Sequence, residues 1–225
     1  MKSYGQFCSI AKALEIVGER WTPLILREMM CGSVRFNEIH RGMPRMSPTL
    51  LTTRLSHLET AGVIVKVAET GGYELTRAGW ELKPMVESLG VWGQRWVRGQ
   101  LSEAELDPDL LMWDVRRRIK IDAMPKVRTC LRFEFTDTPK EASFYWLIRS
   151  DEGIELCITD PGYEVDLYVT TDVRTMTEVW NGDMQMLAAL DEGKIDLHGP
   201  TSLRDAFPSW LQLNQFAGIE AARTE

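Results

Sequence analysis

Leu51, Leu55, Leu58 and Gly62 recur at i, i+4, i+7 and i+11, the spacing of one face of an α-helix. Directly upstream, Ser47 can cap that helix and Pro48 can occupy its first position, where proline's missing N–H costs nothing. If the leucines face a core, Thr49, Thr52, Thr53, Ser56 and Thr60 face away from it, with His57 at the edge. An ordinary solvent face favours Glu and Lys. Short hydroxyl side chains instead let a helix come close to base edges and phosphates in a major groove. The plain alternative is a solvated face built from poor helix formers.

The flanking residues narrow the choice. Ser33 is a candidate N-cap for Arg35–Arg41, in which Phe36 and Ile39 form an inward i, i+3 pair, and Gly42 is a natural helix stop. Residues 42–46 give a short connection into the Ser47 helix, as a helix-turn-helix requires. Downstream, Val63–Val67 reads as a strand, Thr70-Gly71-Gly72 as a turn and Tyr73–Thr76 as the returning strand. Helix, turn, helix and hairpin in that order describe a winged helix-turn-helix over residues 33–76.

The formal net charge of −7 argues against a polyanion partner only while the chain is read as one block. Residues 1–100 carry 13 Lys and Arg against 9 Asp and Glu, whereas residues 101–225 carry 13 against 24. The first part has the balance suited to nucleic acid, and repulsion from the second is screened within about 10 Å at physiological salt. The shift also suggests a division: a DNA-binding and dimerisation domain at 1–101, an acidic proline-containing linker at 102–112 and a second domain at 113–225. No apolar run reaches about eighteen residues, so no membrane span is expected, and the first residues lack the apolar core of a secretory signal. Cys8, Cys31, Cys130 and Cys157 show neither a metal-ligand nor a disulfide-framework spacing, which fits a reducing cytoplasm. His40, His57 and His198 are scattered, and no phosphate loop or H-E-x-x-H occurs, so neither catalysis, a metal nor a cofactor is expected.

Three more helices are expected in the first domain. Ser9–Val17 would carry Ile10, Ala13, Leu14 and Val17 inward. Trp21–Met30 would carry Trp21, Leu24, Ile25 and Met29 inward. Residues 81–98 align Leu82, Met85, Leu89, Trp92 and Trp96 along one stripe. The stretch Cys8 to Arg27, with Gly18-Glu19-Arg20-Trp21 leading into an Ile-Leu-containing helix, resembles the opening of HxlR-type transcriptional regulators. Arg35–Ile39, the Ser47 helix and Tyr73–Thr76 continue that resemblance in order over residues 8–98. It implies a bacterial or archaeal repressor or activator, a homodimer through the N-terminal and 81–98 helices on double-stranded operator DNA. On that reading Ser47, Pro48, Thr49, Thr52 and Thr53 meet bases. Arg35, Arg45, Arg54 and His57 clamp phosphates, with Lys66 on the wing; for Arg54 an ion-paired or snorkelling role is the competing reading. Cys8 is a candidate oxidant sensor, with simple packing as its alternative. The competing function is a winged-helix protein-interaction or lipid-binding module without operator recognition.

In the second domain Leu131, Phe133 and Phe135 alternate with Arg132, Glu134 and Thr136. Phe144-Trp146-Ile148, Ile154-Leu156-Ile158 and Val165-Leu167-Val169 repeat the pattern. Helices at Asp172–Trp180 and Asp183–Leu190, a strand at Lys194–His198 and a helix at Ser202–Phe216 follow, giving an α+β layer with a largely antiparallel sheet. The stretch Thr171–Gly199 resembles the sterol carrier protein type two fold, in which a helix pair precedes a short loop and a Gly-x-Ile strand. That resemblance, over residues 113–217, implies an apolar ligand lined by Trp146, Trp180, Met184, Met186, Leu187, Trp210 and Phe216; the alternative is that these residues are core.

Overall fold

The computed structural model describes residues 3–97, 99 and 101–222, and the chain divides into two compact units, Met1–Gly93 and Gln94–Glu225. The first unit runs α1 (Ser9–Val17), α2 (Thr22–Met30), α3 (Phe36–Arg41), α4 (Pro48–Thr60), β1 (Ile64–Lys66), β2 (Tyr73–Leu75), α5 (Arg77–Trp80) and α6 (Lys83–Trp92). Its core is made where the sequence periodicity placed it. Leu51, Leu55 and Leu58 of α4 are fully buried with Ile25, Leu26 and Met29 of α2 and Ile39 of α3. The strands β1 and β2 pair antiparallel, Ile64 opposite Leu75 and Lys66 opposite Tyr73. Helix, turn, helix and wing are all present.

Several expectations fail here, each for a local reason. Ile10, Ala13 and Leu14 of α1 point to solvent, and only Ala11 and Val17 are buried. Together with Phe7, which is exposed, Ile10 and Leu14 form an i, i+3, i+7 stripe that the unit itself does not cover. Leu24 of α2 is likewise exposed. The helix expected at 81–98 is shorter: α6 begins at Lys83, with Pro84 in its first turn, and its α-helical part ends at Trp92. A π-helical turn, Gly93–Val97, follows, and Arg98, the last residue of the expected helix, lies outside the described residues. Leu82, Met85 and Val86 pack on the core, whereas Leu89 and Trp92 do not; Trp92 remains 58% exposed.

The second unit contains α7 (Pro108–Arg118), β3 (Thr129–Phe135), β4 (Phe144–Ser150), β5 (Gly153–Cys157), β6 (Leu167–Thr171), α8 (Val173–Asn181), α9 (Met186–Asp191), β7 (Asp196–His198) and α10 (Thr201–Trp210). The stretch read as linker is partly helical: Asp107 caps α7 by accepting from the Leu110 N–H, and Leu111 and Met112 enter the core. The five strands lie in the order β5-β4-β3-β6-β7, antiparallel except for the parallel β3–β6 pair. Leu131, Phe133 and Phe135 face the core with Tyr145, Leu147, Leu167 and Val169, against Met112 and Val115 of α7, Met176 and Val179 of α8, and Phe207 and Trp210 of α10. The sheet's other face is not purely polar. Cys130, Trp146 and Ile148 are buried there as a second cluster with Phe144, Cys157 and Val165. Several boundaries shift: β6 starts at Leu167 rather than Val165, α9 at Met186 rather than Asp183, β7 at Asp196 rather than Lys194, and the last helix ends at Trp210 rather than Phe216. Among the described residues no helix is long and apolar enough to cross a membrane.

Gly79, in α5, tests the joint between wing and helix. A Cβ there would stand 2.3 Å from the Val63 carbonyl oxygen and 2.9 Å from a Leu75 methyl. Backbone cannot step aside as a side-chain tip can. Gly79→Ala is expected to destabilise the first unit by about 1–3 kcal/mol, the usual cost of overpacking, read as a lower urea midpoint for α4 probes.

Candidate nucleic-acid interface

The position of α4 is fixed from two sides. Its leucine face is the core; its N-terminus is fixed by Ser47, whose Oγ accepts the Leu50 N–H at 3.3 Å, followed by Pro48 in the first turn. The preceding turn is closed by Met43 N–H to the His40 carbonyl and Met46 N–H to the Met43 carbonyl, both 2.9 Å. Met43 and Met46 are buried beneath it. His40 Nε2 lies 2.6 Å from the Met46 carbonyl, and the His40 ring stacks on Phe36 with centroids 6.3 Å apart.

A buried ion pair that sequence reading missed locks this turn to α2. Glu28 has no solvent exposure, and its carboxylate accepts from Arg27 at 2.6 Å and from the Ser33 hydroxyl at 3.3 Å. Arg27 also donates to the Gly42 carbonyl at 3.0 Å. A Cβ on Gly42 would fall 1.9 Å from the Glu28 carboxyl carbon. Gly42 is therefore needed for close approach rather than as a left-handed stop; its φ is −73°. Ser33 is not the N-cap of α3. Arg35 holds that position, and Glu38 accepts the Val34 and Arg35 N–H groups, each at 3.0 Å. The signal available in the sequence was an acid, Glu28, inside the apolar run Leu24–Met30, since a buried charge has to be paired.

Of the residues expected on the outward face, Ser47, Pro48, Thr49, Thr52, Thr53 and Ser56 are exposed. Their hydroxyls are not all turned outward. Thr52 donates to the Pro48 carbonyl and Thr53 to the Thr49 carbonyl, both at 3.0 Å, and Thr60 does the same to Ser56. Arg54 does not belong to this face: its guanidinium is 2.7 Å from Glu19, with the side chain only 15% exposed. His57 is half-buried, with an Nδ1 that has no hydrogen-bond partner. Arg35 and Arg45 are exposed, Arg45 on the turn directly ahead of α4. Lys66 is exposed on the wing, 6.0 Å from the Tyr73 ring centroid. The wing is pinned to the segment before α3 by Tyr73 N–H to the Val34 carbonyl at 2.7 Å.

Cys8 is exposed at the N-cap position of α1. The Ala11 and Ile10 N–H groups hold its thiol below the ordinary range. It shares a helix side with Lys12 and Glu15, which are ion-paired at 3.4 Å. Cys130 is the opposite case, with burial and then Asp166 pushing its thiol up to about 11. Among the described residues no group of three His, Cys, Asp or Glu side chains could hold a metal ion.

In the second unit the seven expected lining residues do not converge. Trp180 and Trp210 are buried in the main core, with Met184 and Met186 packed on it. Trp146 is on the other face of the sheet, because it alternates with Tyr145 and Leu147 along β4. Leu187 is exposed and Phe216 half-buried. A groove of about 760 Å³ is lined instead by Arg174, Glu178, Asp183 and Glu220, with Leu101, Ile219 and glycine and alanine residues, none of the seven among them.

Two results are expected. A double-mutant cycle of Arg54→Ala and Glu19→Ala should show a coupling of about 0.5–1 kcal/mol in urea unfolding, and Arg54→Ala should leave any DNA salt slope unchanged. Alkylation mapped by mass spectrometry should titrate Cys8 at a lower pH than an unperturbed cysteine in a short reference peptide, because a lowered pKa gives more thiolate at each pH. Cys130 should stay unreacted in the folded protein over the same range.

The model for the HxlR-like helix-turn-helix matches residues 16–101. An uncharacterized HTH-type transcriptional regulator of Bacillus subtilis, YvaP, is 35% identical over 91 residues, which covers 38% of this chain and 84% of YvaP. One from Methanothermobacter thermautotrophicus is 31% identical over 106 residues, covering 45% of this chain and 81% of that protein. Among solved structures, quinone-bound YodB from B. subtilis is 30% identical, covers 39% of this chain and 97% of that one, and superposes with a TM-score of 0.36. With more than four-fifths of the YvaP regulator matched at this identity, and with helix, turn, helix and wing in place, the chain belongs to the HxlR-like helix-turn-helix family.

Proposed function

We propose that this chain is a DNA-binding transcriptional regulator that recognises operator sequences as a homodimer. The observation that carries the reading is the exposed, short-side-chain beginning of α4, held rigidly by a buried leucine face and a capped N-terminus. Arg35, Arg45 and Lys66 supply exposed cations around it on the half of the chain with a positive balance. Ser47, Pro48, Thr49, Thr52 and Thr53 meet the bases; Arg54 and His57 are left out. The related helix-turn-helix proteins named above as transcriptional regulators support the same reading.

The dimer is supported by apolar surface that the first unit leaves open. Ile10 and Leu14 on α1, Phe7 just ahead of it, and Leu89 and Trp92 on α6 are large and exposed, on or beside the helices expected to pair. Two-fold readers of this class bind repeated half-sites. The second unit is read as sterol-carrier-like in fold, supported by the α8–α9 pair ahead of β7. Its aromatic and methionine side chains are spent on packing, so that reading comes without an apolar ligand. Cys8, exposed and acidified, is the thiol through which oxidants would act on the DNA-binding unit.

Selection of bound duplexes from a random pool should enrich one sequence, and its affinity should fall at least tenfold between about 50 and 200 mM salt, as phosphate contacts require. Enrichment of no sequence, or a salt-independent affinity, would favour a protein-docking module. Trp92→Glu should leave the thermal transition in place while sedimentation shows a monomer and operator affinity drops.

A further inference from the structure

We infer that α4 reads its operator through threonine γ-methyl groups packed on thymine 5-methyls, rather than through hydroxyl hydrogen bonds. The inference rests on the operator-binding reading above and names what the same helix recognises.

Three observations on α4 lead to it. First, Thr52 and Thr53 each donate their hydroxyl to the carbonyl four residues back, at 3.0 Å. With Oγ1 turned against the helix's own backbone, the group left to the outside on each exposed side chain is the γ-methyl. Second, Pro48, exposed one turn earlier on the same side, adds apolar surface and has no N–H. Third, the side chains that pair with guanine or adenine edges through two hydrogen bonds, or accept from the cytosine amino group, are missing from this face. Pro48–Thr60 contains no Lys, Asn, Gln or Asp, its Glu59 lies in the last turn, and its single arginine is held by Glu19.

The major-groove edges of the base pairs differ in what they offer such a surface. Guanine presents two acceptors, which call for a donor such as arginine. Thymine presents one acceptor and a methyl, which accepts an apolar partner. A helix end offering proline and two threonine methyls therefore selects thymine at the positions it covers. Both threonines already hold β-branched helical geometry, so valine can replace either with the methyl kept and the hydroxyl lost, at similar helix propensity. Serine does the reverse.

The full-length protein and the duplex it enriches from a random pool supply the test. Replacing single thymines by deoxyuridine removes only the 5-methyl. At one or more positions in each half-site this should weaken binding about fourfold, the factor corresponding to about 0.8 kcal/mol per buried methyl-sized group. Thr52→Val with Thr53→Val should hold operator affinity within about twofold of wild type and keep the thymine preference. Thr52→Ser with Thr53→Ser should weaken binding tenfold or more and make deoxyuridine indistinguishable from thymine. Circular dichroism melts of both variants separate folding from recognition. The inference is overturned if deoxyuridine is silent at every position, or if the serine variant binds as wild type while the folded valine variant does not. A pool that enriches nothing sinks the operator-binding reading itself, which is a different result from a defined operator read without its methyls.

Discussion

The burial of Leu51, Leu55 and Leu58 is the constraint on which the first unit depends. All three are 0–1% exposed, packed on α2 and α3, and a leucine lost from such a place costs about 2–5 kcal/mol. Once that face is inward, a helix of 3.6 residues per turn leaves no freedom for the rest. Thr49, Thr52, Thr53 and Ser56 must stand outward. The same spacing brings Arg54, one residue ahead of Leu55, to Glu19, where a pair at 2.7 Å holds it off the outward face. Recognition surface and core are two sides of one periodicity.

What the leucines do for orientation, Glu28 does for position. The turn between α3 and α4 has to be placed against α2, and a buried carboxylate joined to Arg27 and Ser33 does this where Gly42 leaves room for it. Leaving either partner unpaired in that interior would be costly, so the network makes one arrangement of the two helices far better than its neighbours. Rigidity there matters for function, because a methyl-to-methyl contact is short-ranged and is lost with a small displacement.

Much of this was legible in the sequence, and the exceptions have a common cause. The 3.6-residue period of Leu51-Leu55-Leu58, the Ser47-Pro48 start and the two glycines of the wing are local signals, and each marks an element found within a residue or two. The alternation in β3 likewise marks the core face of the second unit, whereas in β4 the run Phe144-Trp146-Ile148 marks the opposite face and Tyr145 and Leu147 make the core. Other assignments depended on partners distant in the chain. Ser33 and Gly42 read locally as caps, yet their neighbour is Glu28. Arg54 reads as a phosphate clamp until Glu19, 35 residues away, is placed beside it. Ile10 and Leu14 carry a helical pattern without stating whether the core they face lies in the same chain. Trp146 is apolar at a sheet position whose outer face is also covered, which periodicity alone does not reveal. The orientation of the threonine hydroxyls, which changes the recognition chemistry from polar to apolar, lies below anything that spacing encodes.

The most direct measurement is methyl-detected NMR of the full chain with threonine γ-methyls labelled, bound to a duplex it has selected. The account predicts that the Thr52 and Thr53 methyl signals move on binding and show nuclear Overhauser contacts to thymine 5-methyl protons, while Thr129 and Thr171 of the second unit's sheet stay in place. Unmoved Thr52 and Thr53 signals in a saturated, sequence-specific complex would contradict it.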